Sequence, residues 1–200
     1  MNDYTTLDVF LEQLRTDIYP EPVSEPHGII TSRMIAQLVK TGIITPGQRV
    51  LDVGCGSGLA LEAFVRHGID AVGITLGPEA QACRERGLDV REMDFSFLDF
   101  DHSYFHLIWC RHALEHSFSP LFTLHGFHKK LIQGGWLYVE VPAPDTSCHH
   151  ETNPNHYYVL GRSMWQSLFH KTGFHLEWKV EFPFDTVSGP DLYLGFLLRK

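Results

Sequence analysis

One nine-residue segment, Val50-Leu51-Asp52-Val53-Gly54-Cys55-Gly56-Ser57-Gly58, constrains the fold more than any other part of the chain. Residues of strand character run into three glycines at alternate positions, and an apolar helical pattern follows at Leu59, Leu61, Phe64 and Val65. A strand that turns sharply into a helix needs glycine where the backbone takes φ > 0. It also needs glycine where a ligand lies against the main chain. The spacing is G-x-G-x-G; the dinucleotide fingerprint G-x-G-x-x-G would require glycine at Leu59, which is absent. The segment predicts an α/β fold with a ligand-binding turn after its first strand.

The pattern on either side agrees. Strands are expected at Arg49–Val53, Ala71–Ile74, Leu88–Arg91, Phe105–Trp109 and Trp136–Val141, with helices between them at Leu59–His67, Pro78–Arg86 and Leu121–Leu131. Strand and helix alternating at this spacing give a mostly parallel sheet with helices on both faces. A polar loop, a helix at Arg162–Lys171 and two apolar strands, Phe174–Val180 and Leu192–Leu198, complete the chain. Ahead of the first strand, residues 4–17 form a helical pattern with an apolar stripe at Leu7, Phe10, Leu11 and Leu14. Pro20-Glu21-Pro22 and Glu25-Pro26 are expected to break it, with a second helix from about Ile30 to Lys40.

Composition excludes several classes. A net charge of -8, with no basic cluster larger than Lys129-Lys130, argues against a duplex nucleic-acid partner. No apolar run approaches the roughly 20 residues of a membrane helix, and the start carries no secretory signal pattern. Cys55, Cys83, Cys110 and Cys148 form no C-x-x-C pair, so free thiols and a cytoplasmic location are expected.

With Asp52 just ahead of its glycines, Val50–Gly58 resembles the first motif of class I S-adenosylmethionine (SAM)-dependent methyltransferases. Residues 45–176 follow the order of elements in that family, particularly its small-molecule group with the "type 11" domain. Asp70–Glu79 is similar to the second strand and following helix start, with Thr75 where a ribose-binding carboxylate is usual and Glu79 one helical turn on. Glu92-Met93-Asp94-Phe95 resembles the adenine-binding segment; the residues alone also allow Asp94 to cap a turn. Phe105-His106 stands where Phe-Asp is usual, Gln133-Gly134-Gly135 resembles the Pro-Gly-Gly turn before the fifth strand, and Gly173-Phe174 matches the opening of the sixth.

The resemblance implies a Rossmann-like class I methyltransferase fold with a mostly parallel seven-stranded sheet. Residues 1–44 would form an N-terminal helical lid and residues 45–200 the SAM-binding domain. It implies methyl transfer from SAM to a small-molecule acceptor, a hydroxyl oxygen by preference. It further implies SAM contacts from Asp52, Gly54, Cys55, Gly56, Gly58, Thr75, Leu76, Asp94, Phe95, Arg111 and His112. The sulfonium already activates the methyl group, so no metal is needed and alignment of the reactants is the main task. A SAM-binding protein that transfers no methyl group is the alternative.

Two histidine-rich segments require separate reading. His112-x-x-Glu115-His116 matches a zinc-peptidase pattern if both imidazoles share a helical face. Its place after an apolar strand instead matches the Leu-Glu-His segment of the methyltransferases. Cys148–Tyr158 follows the fifth strand, in the region that in the resembling family faces the acceptor, and His156 is the candidate general base there. A plain turn-forming loop is one alternative; metal binding by His149, His150, Glu151 and His156 is another that the chemistry allows, though no regular spacing supports it.

Overall fold

A computed structural model describes residues 4–16 and 25–200. Two helices, α1 (Thr5–Thr16) and α2 (Glu25–Lys40), precede an alternation of β1 (Arg49–Val53), α3 (Leu59–Arg66), β2 (Asp70–Thr75), α4 (Glu79–Glu85), β3 (Val90–Glu92) and β4 (Phe105–Arg111). There follow α5 (Pro120–Lys130), β5 (Leu131–Pro142), α6 (Arg162–Lys171), β6 (His175–Thr186) and β7 (Gly189–Arg199). The expected strand at Leu88–Arg91 is shorter and later, and the last three strands run longer than the apolar pattern alone indicated.

The seven strands form one sheet in the order β3-β2-β1-β4-β5-β7-β6. Neighbours pair in parallel from β3 through β5, while β7 pairs antiparallel with both β5 and β6. The sheet is therefore mixed, with β7 alone running against the rest. A two-residue turn, Val187-Ser188, joins β6 to β7, and hairpin geometry makes that pair antiparallel. Pro183 is tolerated because β6 is an edge strand.

Successive strand residues face opposite sides, and each side has its own core. Leu51, Val53, Ile108, Leu137 and Val139 pack with Leu124 and Phe127 of α5 and Trp165 and Phe169 of α6. Val50, Leu107, Trp109 and Tyr138 pack with Ile35 and Leu38 of α2 and with Leu61 and Phe64 of α3. Helices thus cover both faces. The order of strands reverses between β1 and β4, whose carboxyl ends open the crevice where such sheets bind ligands.

The N-terminal region departs from expectation at one point. Glu25-Pro26 opens α2 rather than breaking a helix. A proline in the first turn removes only an N–H that has no helical partner there. The expected break at Pro20-Glu21-Pro22 lies outside the described residues. Within the expected α1 stripe, Leu7 and Phe10 are 42% and 46% exposed, while Leu11 and Leu14 are half-buried. No helix among the described residues is long and apolar enough to cross a membrane.

Candidate active site

The glycine turn follows directly from β1, and its three glycines serve different needs. All have positive φ, at 68°, 47° and 81° for Gly54, Gly56 and Gly58. A Cβ on Gly54 would lie 2.9 Å from the Ala113 Cβ, and one on Gly58 2.6 Å from Leu88 Cδ1. A Cβ on Gly56 would meet nothing within 4 Å. The outer two glycines allow close packing; the middle one faces open space. Cys55 turns its thiol towards Gly73, and burial pushes that thiol's pKa far up. Only its backbone can serve a ligand at this turn.

Asp52 lies under the turn on the α2–α3 side of the sheet. Its carboxylate is 3% exposed, and Oδ2 has no hydrogen-bond partner. Burial raises its pKa to about 8, against the opposing pull of Arg111. At the end of β2, the Thr75 hydroxyl is 3.5 Å from the Leu76 carbonyl, and the Thr75 carbonyl accepts a bond from Met93 N at 3.2 Å. That bond draws the 93–95 segment alongside Thr75 and Leu76. Asp94 Oδ1 accepts from Ser96 N at 2.8 Å, so this carboxylate caps a turn. No helix follows it. Phe95 is half-buried against the α5–α6 core.

Arg111 and His112, at the end of β4, meet a carboxylate on β5 that the motifs did not single out. Glu140 is 1% exposed. It accepts from Arg111 Nε at 2.7 Å, from His112 Nε2 at 3.0 Å and from the Tyr138 hydroxyl at 2.7 Å. Arg111 Nη1 also donates to Thr31 Oγ1 of α2 at 2.9 Å. Burial opposes the charge on Glu140; the His112 hydrogen bond and the Arg111 charge outweigh it and hold the pKa below the usual value. A lone carboxylate in the apolar run Trp136–Val141 is the signal that could have revealed Glu140.

The zinc-peptidase reading of His112-x-x-Glu115-His116 fails on geometry. His112 takes φ 52°, bonds Glu140 and stacks on Tyr193 at 4.2 Å. His116 ends a short 3-10 turn, Leu114–His116, and faces elsewhere. Its Nδ1 bonds the Asn155 carbonyl at 2.8 Å, and its ring meets His156 edge-on at 4.8 Å. His156 Nδ1 bonds the His150 carbonyl at 3.1 Å. In both rings Nδ1 must be the donor to a carbonyl, so in the neutral imidazole the lone pair resides on Nε2. The buried Glu115 completes the group: the three side chains bring one donor atom each within 4.8 Å of the others. Such a group can share a proton or hold a cation. The structure joins His156 to the 3-10 turn after β4, which sequence spacing did not reveal.

A family profile described as a methyltransferase domain matches residues 29–179. The chain belongs to this family of SAM-dependent methyltransferases with the class I fold. A ubiquinone biosynthesis O-methyltransferase of Methylococcus capsulatus is 30% identical over 120 residues, covering 56% of this chain and 50% of that protein. The chain thus spans about half the length of the curated relatives it matches. Among solved structures, a SAM-dependent methyltransferase from Archaeoglobus fulgidus superposes with a TM-score of 0.67 at 19% identity, covering 99% of this chain and all of that one. The [4+2]-cyclase SpnF superposes with a TM-score of 0.73 at 17% identity, covering 98% and 94%. These two likenesses show the fold.

The family's cofactor is SAM, and this methyltransferase domain has residues that fit it. The open face at Gly56 leaves room against the main chain. The unpartnered Asp52 oxygen is a buried acceptor suited to an ammonium donor.

Proposed function

We propose that this methyltransferase moves the methyl group of SAM to a hydroxyl oxygen of a small-molecule acceptor. The observation that carries the acceptor chemistry is the placement of His156. Its Nδ1 donates to the His150 carbonyl, and its side chain stands with His116 and Glu115 of the turn after β4, their donor atoms within 4.8 Å of one another. The name of the O-methyltransferase relative supports an oxygen acceptor.

In this reading the cofactor supplies a methyl group already activated by its sulfonium. The Gly54–Gly58 turn and Asp52 bind the amino-acid end, with Cys55 contributing its backbone. Thr75, Leu76 and Glu79 take the ribose, and Asp94 and Phe95 the adenine. Arg111 and His112, fixed by Glu140, wall the crevice between the cofactor and Tyr193. His156 takes the acceptor's hydroxyl proton. Residues 1–44 close over the site as a lid, with α2 already attached through Thr31. The acidic balance suits a small molecule rather than a duplex, and four free cysteines suit a reducing cytoplasm.

Turnover against a panel of phenolic and alcoholic acceptors tests this reading. His156→Gln keeps hydrogen-bonding atoms but cannot take a proton, so turnover should fall by about 10²–10⁴-fold with SAM affinity nearly unchanged. Full turnover in that variant would remove His156 from the reaction. SAM affinity without turnover on any acceptor would favour a role in binding alone, as Thr75, His106 and Gln133 depart from the family pattern.

A further inference from the structure

Beyond the cofactor crevice, the loop after β5 folds back onto the start of β7. Ser147 N bonds the Pro190 carbonyl at 3.2 Å, and this brings three unlike side chains together: the Cys148 thiol, the His150 imidazole and the Asp191 carboxylate. Each presents one donor atom within 4.8 Å of the other two. His150 Nε2 lies 3.0 and 3.1 Å from the two Asp191 oxygens. Asp191 is 5% exposed, while Cys148 and His150 are half-buried and open to solvent. We propose that Cys148, His150 and Asp191 form a zinc-binding site.

The donor set matches the ion. Thiolate, imidazole and carboxylate are the three side-chain ligand types of zinc, with bond lengths of about 2.0–2.3 Å. A tetrahedral ion then spaces its ligands about 3.3–3.8 Å apart, within reach of small side-chain adjustments from the present spacing. Three protein ligands leave the fourth position to water, as the partial exposure of Cys148 permits. A supporting bond already orients the carboxylate, and a hydroxyl stands beside the thiol. Leu192 N donates to Asp191 Oδ1 at 2.9 Å. The Thr186 hydroxyl donates to the Gly189 carbonyl at 2.9 Å, so it accepts from the Cys148 thiol, 3.3 Å away, and must turn its proton from Gly189 to the sulfur when the thiolate forms. Such outer partners fix ligand geometry in metal sites. On loading, the Cys148 thiol proton goes to solvent and the His150 Nε2 proton moves through solvent to Nδ1, so that the thiolate and the Nε2 lone pair face the ion in place of the His150 N–H contact with Asp191.

The site has a consequence for its neighbours. His150 offers its carbonyl to His156, and its ring meets Tyr193 edge-on at 5.4 Å. Tyr193 in turn stacks on His112. An ion at Cys148, His150 and Asp191 would pin the 143–152 loop to the β6–β7 hairpin and fix the acceptor side of the crevice.

Cobalt tests the proposal because a Co²⁺–thiolate bond absorbs in the near ultraviolet, whereas the Glu115–His116–His156 group contains no sulfur. Chelator-treated protein titrated with Co²⁺ alone should develop that band, and one equivalent of Zn²⁺ should remove it. Cys148→Ser should abolish the band, Asp191→Asn should weaken Zn²⁺ binding by at least about 10-fold, and His116→Ala should leave both unchanged. Absence of the band in folded wild-type protein, or its survival in Cys148→Ser, would overturn the proposal. Methyl transfer is not the readout, so a failed acceptor assay leaves this test intact.

Discussion

Asp52 keeps its proton at a pH where an ordinary aspartate has lost it, and this has a measurable sign. Its pKa rises from 3.8 to about 8 because burial penalises the charge. Between those values the folded chain binds one more proton than the unfolded chain. Stability therefore falls as pH rises through that window, by at most about 1.4 kcal/mol per pH unit for this group. Asp52→Asn cannot lose a proton, so the stability of wild type relative to the variant should decline between pH 5 and 8. Urea unfolding at several pH values measures it; a constant difference would mean that Asp52 is ionised in the folded chain. Gly56 tests the neighbouring turn. Gly56→Val places a branched side chain in open space at φ 47°, costing about 1–2 kcal/mol of strain and a few degrees of melting temperature. SAM binding, read by titration calorimetry, should be lost while the fold persists. Unchanged affinity in a folded variant would mean that the turn does not cradle the cofactor.

Glu140 links three elements, and its loss should be felt across all of them. β5 carries it, β4 supplies Arg111 and His112, and α2 joins through the Thr31–Arg111 bond. The Arg111 and Glu140 side chains are only 9% and 1% exposed, so their attraction is little screened by water. Glu140→Gln leaves the buried guanidinium without its counter-charge and should cost about 3–5 kcal/mol of stability. Chemical denaturation gives the value directly. A cost below about 1 kcal/mol would show that neighbouring groups already balance the Arg111 charge. The same tie explains why α2, amphipathic and proline-started, is held to the sheet: Ile35 and Leu38 are fully buried on one side while Thr31 reaches the crevice.

At the scale of the whole molecule, the sheet order decides which distant residues become neighbours. Placing β1 between β2 and β4 brings the glycine turn, Thr75 and Arg111 to one edge. Inserting β7 beside β5 brings Tyr193 and Asp191 to the loop that carries His150 and His156. Neither juxtaposition follows from distance along the chain.

The strand at Arg49–Val53, the α6 helix at Arg162–Lys171 and the G-x-G-x-G turn were legible in the sequence, because hydrophobic period and glycine act on the backbone within a few residues. The mostly parallel sheet with helices on both faces was legible for the same reason, repeated in order along the chain, and the class I fold through the resemblance of its motifs. The roles of polar side chains were not. Asp94 took the turn-capping alternative with Ser96 N, His112 parted from His116, and Glu140 emerged as the common partner of Arg111 and His112. A polar side chain is committed by whatever donor or acceptor the fold brings within about 3 Å, and that distance is fixed only when strands far apart in sequence take their places in the sheet.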